Sequence, residues 1–254
     1  MKTKVRLISL ILILSLLAGT VIGCGKTSTV ESPAKEGETT ETTLTEWGGA
    51  KLTLGTLNPD NNSDSLAAKW FADQLYKKTN GKLVVDFFPG SQLGNQTAQI
   101  ESLVMGTQDI FIGGIEPFSS IAQELNVLNV FFLFQSQEQF QKFFSSEWFD
   151  SAQEKLASKN IVCINEAMNW VKGPFRIILS TKEIDGSLSS FKGMKIRIPD
   201  QEVFKKSFDA LGLVPVVVAL NETYLALQQG LVEAVDLIPA SIKTNGFQEI
   251  VKYI

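Results

Sequence analysis

The chain has 254 residues, of which 44% are hydrophobic and 20% are charged, a composition typical of a folded protein with one large core or two smaller ones. Its formal net charge is -4 and it contains no histidine. The negative charge argues against a nucleic-acid-binding surface. The absence of histidine excludes nucleophile pairs and zinc ligands that use histidine. Phosphate-binding glycine motifs and metal-ligand spacings are also missing from the sequence, so we predict no cofactor and no metal.

The N-terminus has the pattern of a secretory signal peptide. A basic stretch precedes the apolar run LISLILILSLLAG, which is typical of such a peptide rather than of a spanning helix. The stretch VIGC that follows resembles the lipobox of bacterial lipoproteins. We therefore predict a signal peptide over residues 1–23 and lipid attachment at Cys24. The alternative is a plain secretory peptide with an incidental cysteine.

Residues 24–46 are rich in Thr, Glu and Ser and poor in large apolar side chains. Such a segment buries too little surface to offset the entropy lost on ordering, so we predict a disordered tether. Together with the lipid, the tether would hold a folded part that begins at residue 47 outside the cytoplasm, in the periplasm or on the outer face of the cell membrane.

The first half of the folded part alternates strands and helices. Strands are predicted at 51–57, 82–90 and 108–115, and helices at 63–81 and 96–106. This β-α-β-α-β order indicates a mainly parallel sheet with helices on both faces. The ligands of such sheets bind beyond the carboxyl ends of the strands. Four polar residues lie there and are candidate ligand contacts: Asn58, Asn61, Asn62 and Glu116.

The middle of the chain is apolar and then helical. The run 126–134 carries three phenylalanines that we expect in the core; they are Phe131, Phe132 and Phe134. A helix is predicted over 136–160 and a strand over 161–168. A second α/β unit begins near residue 172, with strands at 174–180, 194–199, 213–220 and 231–239 and helices at 200–212 and 221–230.

The stretch KGMKIRIPD, residues 192–200, alternates as a strand does. Its alternation places Met194, Ile196 and Ile198 on one face, and Lys195 and Arg197 on the other. The pattern alone leaves two interpretations of Arg197. It is either a solvent-facing residue on a sheet edge or a guanidinium placed to bind an anion.

Several segments in order resemble the substrate-binding subunits of TRAP (tripartite ATP-independent periplasmic) transporters, the C4-dicarboxylate-binding-protein-like family. They are AAKWFADQLYKKTNGKLVVDFFPGSQLG, IESLVMGTQDIFIGG, FKGMKIRIP and DALGLVPVVVALNETYLALQQGLVEAVDLIP. The resemblance covers residues 51–254. It implies an α/β, two-lobed periplasmic-binding-protein-like fold with a ligand cleft between the lobes.

The resemblance also implies how the chain is divided and what it binds. Lobe I would span 47–171 and lobe II 172–254. Because relatives continue beyond GFQEIVKYI, we expect a truncated C-terminus and an incomplete lobe I. The implied ligand is a small organic acid, the implied partners are integral membrane permease subunits, and no enzymatic activity is implied.

By resemblance, Arg197 pairs with the ligand carboxylate and Arg176 assists it. A guanidinium suits this role because its parallel N–H donors match a carboxylate. Leu237 stands where relatives carry an asparagine that supports the carboxylate. The pocket is therefore expected to be more apolar here, which points away from C4-dicarboxylates towards another, bulkier acid.

Two other classes of function compete with uptake. A receptor of the same fold would report its ligand to a membrane signalling partner instead of a permease. A secreted enzyme is the other alternative, and the absence of histidine and of a nucleophile motif counts against it.

Overall fold

The computed structural model of the protein describes residues 48–165 and 175–254. The predicted signal peptide, Cys24 and the predicted tether lie outside these residues. Within the described ranges, no helix has both the length and the apolar character needed to cross a bilayer.

The first sheet is parallel and has three strands in the order β2-β1-β3. The strands are β1 (Ala50–Thr56), β2 (Leu83–Phe88) and β3 (Ile110–Ile112). The helices α1 (Ser63–Lys78) and α2 (Gln96–Met105) form the crossovers. This confirms the predicted β-α-β-α-β order. The third strand is shorter than predicted, because the chain turns at Gly113 and Gly114 into a 3-10 helix, Glu116–Ser120.

The middle segment differs from the sequence-based prediction. A second 3-10 helix, Gln123–Asn129, leads to α3 (Gln137–Phe143) and α4 (Glu147–Ala157). The single helix expected over 136–160 is therefore two helices, because the Ser146 side chain accepts a hydrogen bond from the Phe149 N–H and starts α4. Residues 161–165 form no strand, and the rest of the strand predicted there lies outside the described residues.

The second sheet is mixed and has four strands in the order β4-β7-β5-β6. The strand β4 (Ile177–Ser180) runs antiparallel to β7 (Ala234–Leu237), while β5 (Lys195–Ile198) is parallel to both β7 and β6 (Val214–Val217). The helices of this part are α5 (Glu202–Ala210), α6 (Thr223–Gln228) and α7 (Ala240–Thr244). Short 3-10 helices lie at Leu188–Phe191, Leu220–Glu222 and Phe247–Glu249.

Each sheet has its own hydrophobic core. Phe149 and Leu156 belong to the core beside the first sheet. The second sheet is covered on both faces: Val235 and Phe247 belong to one core, and Ile196 belongs to the other. The predicted two-lobed α/β fold is thereby confirmed, and we call the parts built on the first and second sheets lobe I and lobe II. The residue boundaries assigned to the lobes stay predictions.

Candidate ligand-binding site

A cavity of about 1370 Å³ is lined by residues of both lobes. Lobe I contributes residues 113–116, which follow β3, and lobe II contributes 199–201 and 218–221, which follow β5 and β6. The carboxyl ends of parallel strands thus face the cavity from both lobes. This is where α/β sheets bind their ligands.

Arg197 lies on an interior strand of lobe II. It sits opposite Val216 of β6 on one side and Val235 of β7 on the other. Its neighbours Ile196 and Ile198 are fully buried in the core on the opposite face, which confirms the predicted alternation. The edge-strand interpretation is wrong, because β5 is paired on both sides and Arg197 is only 6% exposed.

The guanidinium of Arg197 is buried but only partly hydrogen-bonded. Its Nε donates to the Val218 carbonyl at 2.8 Å. Among the described residues, its terminal amino groups have no hydrogen-bond partner and no carboxylate oxygen lies within 4.0 Å. Burial lowers the pKa of Arg197 to about 10, while the charge of Asp236 opposes this shift and that of Arg176 adds to it. A desolvated cation with free donors favours an anionic partner.

Arg176 also lines the cavity, but a carboxylate of the protein already holds it. Its Nε donates to Asp236 Oδ2 at 2.6 Å and its Nη2 donates to Oδ1 at 2.7 Å. A further bond runs from Nη2 to the Asp236 carbonyl at 3.0 Å. The guanidinium carbon lies 5.2 Å from the centre of the Phe204 ring. Burial lowers the pKa of Arg176, but the hydrogen bonds and charge of Asp236 outweigh burial and raise that pKa overall.

Glu116 brings a second negative charge close to Arg176. It is half-buried, lines the cavity, and its charge contributes to the raised pKa of Arg176. Its carboxylate lies over the backbone of Gly114, where a Cβ atom would occupy the same space. A glycine at this position therefore lets the Glu116 side chain fold back at the edge of the cavity.

The three candidate asparagines have different positions. Asn58 is buried in the cavity lining, and its Nδ2 donates to Asp64 Oδ2 at 2.7 Å. Asn62 caps α1 by accepting from the Asp64 N–H at 3.0 Å, and it donates to Thr244 of α7 at 2.9 Å. Asn61 is exposed. Neither Asn61 nor Asn62 belongs to the described cavity lining, so their role as ligand contacts stays a prediction.

Leu237 lies in β7 on the face it shares with Val235, and its side chain is buried in the core there. Because Val235 is the register partner of Arg197 on a parallel strand, Leu237 and Arg197 occupy the same face of the sheet. Leu237 also lines the cavity. The site therefore has an apolar wall on the face that carries Arg197.

The family of the chain follows from its sequence match. Residues 54–254 match the family model of the bacterial extracellular solute-binding protein, family 7, also called DctP. The chain belongs to this family. Family 7 membership confirms the resemblance drawn from the sequence motifs, and it describes a class of binding proteins rather than of enzymes.

Solved structures of TRAP periplasmic solute-binding proteins share the fold. The chain is 29% identical to a TRAP periplasmic solute-binding protein from Ochrobacterium anthropi with bound L-fuconate, with a TM-score of 0.74 and coverage of 81% of this chain and 67% of that one. It is 26% identical to another from Sulfurospirillum deleyianum with bound succinate, with a TM-score of 0.73 and coverage of 79% and 64%.

Curated relatives are longer than this chain. The C4-dicarboxylate-binding periplasmic protein DctP of Rhodobacter capsulatus is 29% identical over 196 residues, which cover 77% of this chain and 57% of the relative. The chain spans 61% of the length of two further curated relatives.

Two residues of the cavity, Asp236 and Phe204, were not among the sequence-based candidates. The sequence could have indicated Asp236, because it is the single carboxylate of the short apolar strand AVDL. A buried acid needs a partner that compensates its charge. Phe204 gave no signal beyond helical periodicity. Phe131 packs its ring 4.9 Å from that of Phe208 at the edge of the core and also lines the cavity. Phe132 is 84% exposed, so its predicted core position is wrong.

Proposed function

We propose that the chain is an extracytoplasmic solute-binding lipoprotein that captures a small organic acid for uptake by a TRAP-type secondary transporter. The observation that carries the proposal is the state of Arg197. In a family 7 chain, a buried guanidinium lines the cavity between the lobes, and its terminal donors have no partner among the described residues.

The chemistry of the site fits a carboxylate. Two oxygen atoms of a ligand carboxylate can accept in parallel from the terminal amino groups of Arg197, and charge-assisted bonds of this kind are stronger than neutral ones. Removing one partner of such a buried pair costs about 2–5 kcal/mol, or roughly 30-fold to 4,000-fold in affinity. L-fuconate and succinate, the ligands of the two related structures, both carry a carboxylate.

The size of the cavity supports capture by closure. Its volume of about 1370 Å³ exceeds the roughly 300–1,000 Å³ typical of small-molecule pockets. Rotation of the two lobes about a hinge would narrow the cleft around a bound acid and exclude water. The closed, loaded form is the one that the permease subunits would receive.

Anchoring and location form the second part of the proposal. The family description is that of an extracellular protein, and the signal peptide and lipobox pattern support lipid attachment at Cys24. We expect Cys24→Ser to move the protein from the membrane fraction to the soluble extracytoplasmic fraction. Retention of the variant in the membrane fraction after a salt wash would contradict the lipid anchor.

The binding proposal is tested with acids and their uncharged amides. Isothermal titration calorimetry would compare L-fuconate with L-fuconamide, and succinate with succinamide, on the wild type and on Arg197→Gln. At least one acid is expected to bind the wild type, and its amide is expected to bind far more weakly. Arg197→Gln is expected to bind the acid as weakly as the amide. Equal binding of acid and amide would refute carboxylate recognition, as would the absence of binding across a wider panel of organic acids.

A further inference from the structure

The charged residues of the cavity are not balanced. Its described lining contains two arginines, Arg176 and Arg197, and no lysine. Four acids share the same lining: Asp109, Glu116, Asp200 and Asp236. A cavity that binds anions would be expected to present more positive than negative charge, so the acids constrain which anions it accepts.

One arginine is already neutralised. Arg176 directs its Nε and Nη2 donors at the two carboxylate oxygens of Asp236, whose side chain is only 5% exposed. The charge of Glu116 also acts on Arg176. The group formed by Arg176, Asp236 and Glu116 therefore carries no net positive charge. Asp236 occupies the Nε and Nη2 donors of Arg176, so this guanidinium cannot use that edge to bind a ligand carboxylate bidentately.

Arg197 is the remaining cation of the described lining, and one carboxylate satisfies its free amino groups. Resting on the function proposed above, we propose that this site selects organic acids with a single carboxylate and discriminates against dicarboxylates. A second ligand carboxylate would lose its hydration and meet Asp236 and Glu116 without a free cation to compensate it.

The apolar part of the lining agrees with this selection. Leu237 lies on the face that carries Arg197, and the rings of Phe131 and Phe204 pack edge to face 5.8 Å apart in the lining. These side chains offer no donors to a second charged group. They suit the carbon skeleton of a monoacid, whose remaining polar groups are uncharged.

The test compares monoacids with dicarboxylates of nearly the same shape. The pairs are succinamate and succinate, glutaramate and glutarate, and galactonate and galactarate, titrated into the wild-type chain by calorimetry at neutral pH. In each pair that binds, the monoacid is expected to bind at least tenfold more tightly. A dicarboxylate that binds as tightly as its monoacid, or more tightly, overturns the inference but leaves the proposed function standing. Absence of binding by these six acids and by the wider panel of organic acids overturns both.

Two variants test the cause of the preference. Asp236→Asn and Glu116→Gln each remove a negative charge beside Arg176, and each is expected to raise the affinity for the dicarboxylate of a pair at least tenfold more than the affinity for its monoacid. Because Asp236 is buried and its loss can disturb folding, the half-buried Glu116 supplies an independent variant. Asp209→Asn removes an exposed charge of α5 and is the matched control. An unchanged preference in both cavity variants would overturn the inference.

Discussion

Lobe I and lobe II reach the same cavity from the carboxyl ends of parallel strands, but they present different chemistry to it. Lobe I offers Asn58, whose amide is engaged by Asp64, and the carboxylate of Glu116. Lobe II offers the free donors of Arg197 and the closed pair of Arg176 with Asp236. Shared topology places the site, and the residues at a few strand positions decide what binds there.

The two arginines of the site extend this comparison. Arg176 has a 38% exposed side chain and a carboxylate partner, whereas Arg197 is almost fully buried and has no ion-pair partner among the described residues. A buried cation without a partner gains from binding an anionic ligand. A cation in a bidentate ion pair is already compensated and gains less from a ligand.

The largest expected effect concerns stability, which both lobes should share. Phe149 of lobe I and Phe247 of lobe II are 1% and 0% exposed, and neither lines the cavity. Phe149→Ala and Phe247→Ala should each lower the free energy of unfolding by about 3–5 kcal/mol, because each leaves a large cavity in a core. Chemical denaturation measures this. A loss below ~1 kcal/mol for either variant would show that its lobe lacks the tight core described.

The second effect belongs to lobe II alone and depends on pH. The pKa of Arg197 is lowered to about 10, and binding of a carboxylate requires its charged form. Affinity should therefore stay nearly constant up to about pH 9, fall about twofold by pH 10 and fall about tenfold by pH 11, because the uncharged form must regain one proton before it binds. Titrations between pH 7 and 11 measure this, with Arg197→Gln as the control that should show no such decline. Undiminished affinity at pH 11 would contradict the lowered pKa.

The smallest effect separates two neighbouring asparagines of lobe I. Asn62→Ala removes the cap of α1 and should cost about 1 kcal/mol of stability. Asn61→Ala changes an exposed side chain and should stay within about 0.5 kcal/mol. Neither variant should alter acid affinity, since neither residue lines the cavity. Thermal unfolding and calorimetry check this pair. If either variant bound the acid more weakly while its stability was unchanged, that residue would be a ligand contact.

Local patterns predicted much of the fold. Alternation in β5 placed Ile196 and Arg197 on opposite faces, and the order of elements indicated the parallel sheet of lobe I. The break between α3 and α4 was missed because the surrounding residues keep helical periodicity, while one capping serine at position 146 starts a new helix.

The site was less predictable because its contacts join distant parts of the chain. Arg176 and Asp236 lie 60 residues apart, and only the antiparallel pairing of β4 with β7 brings them together. The burial of Arg197 likewise depends on two neighbouring strands that the sequence of β5 does not specify. Position after a strand selected Asn58 and Asn62 equally, but only the packing of α7 shows that Asn62 donates to Thr244.

The central claim is that Arg197, rather than Arg176, anchors the ligand carboxylate. It is tested most directly by calorimetry on Arg197→Gln and on the double variant Arg176→Gln/Asp236→Asn, which removes the ion pair without changing the net charge. Using an acid that binds the wild type, we predict at least a 30-fold loss of affinity for Arg197→Gln, from the loss of about 2 kcal/mol or more, and a change below about fivefold for the double variant. A larger loss in the double variant than in Arg197→Gln would contradict the account.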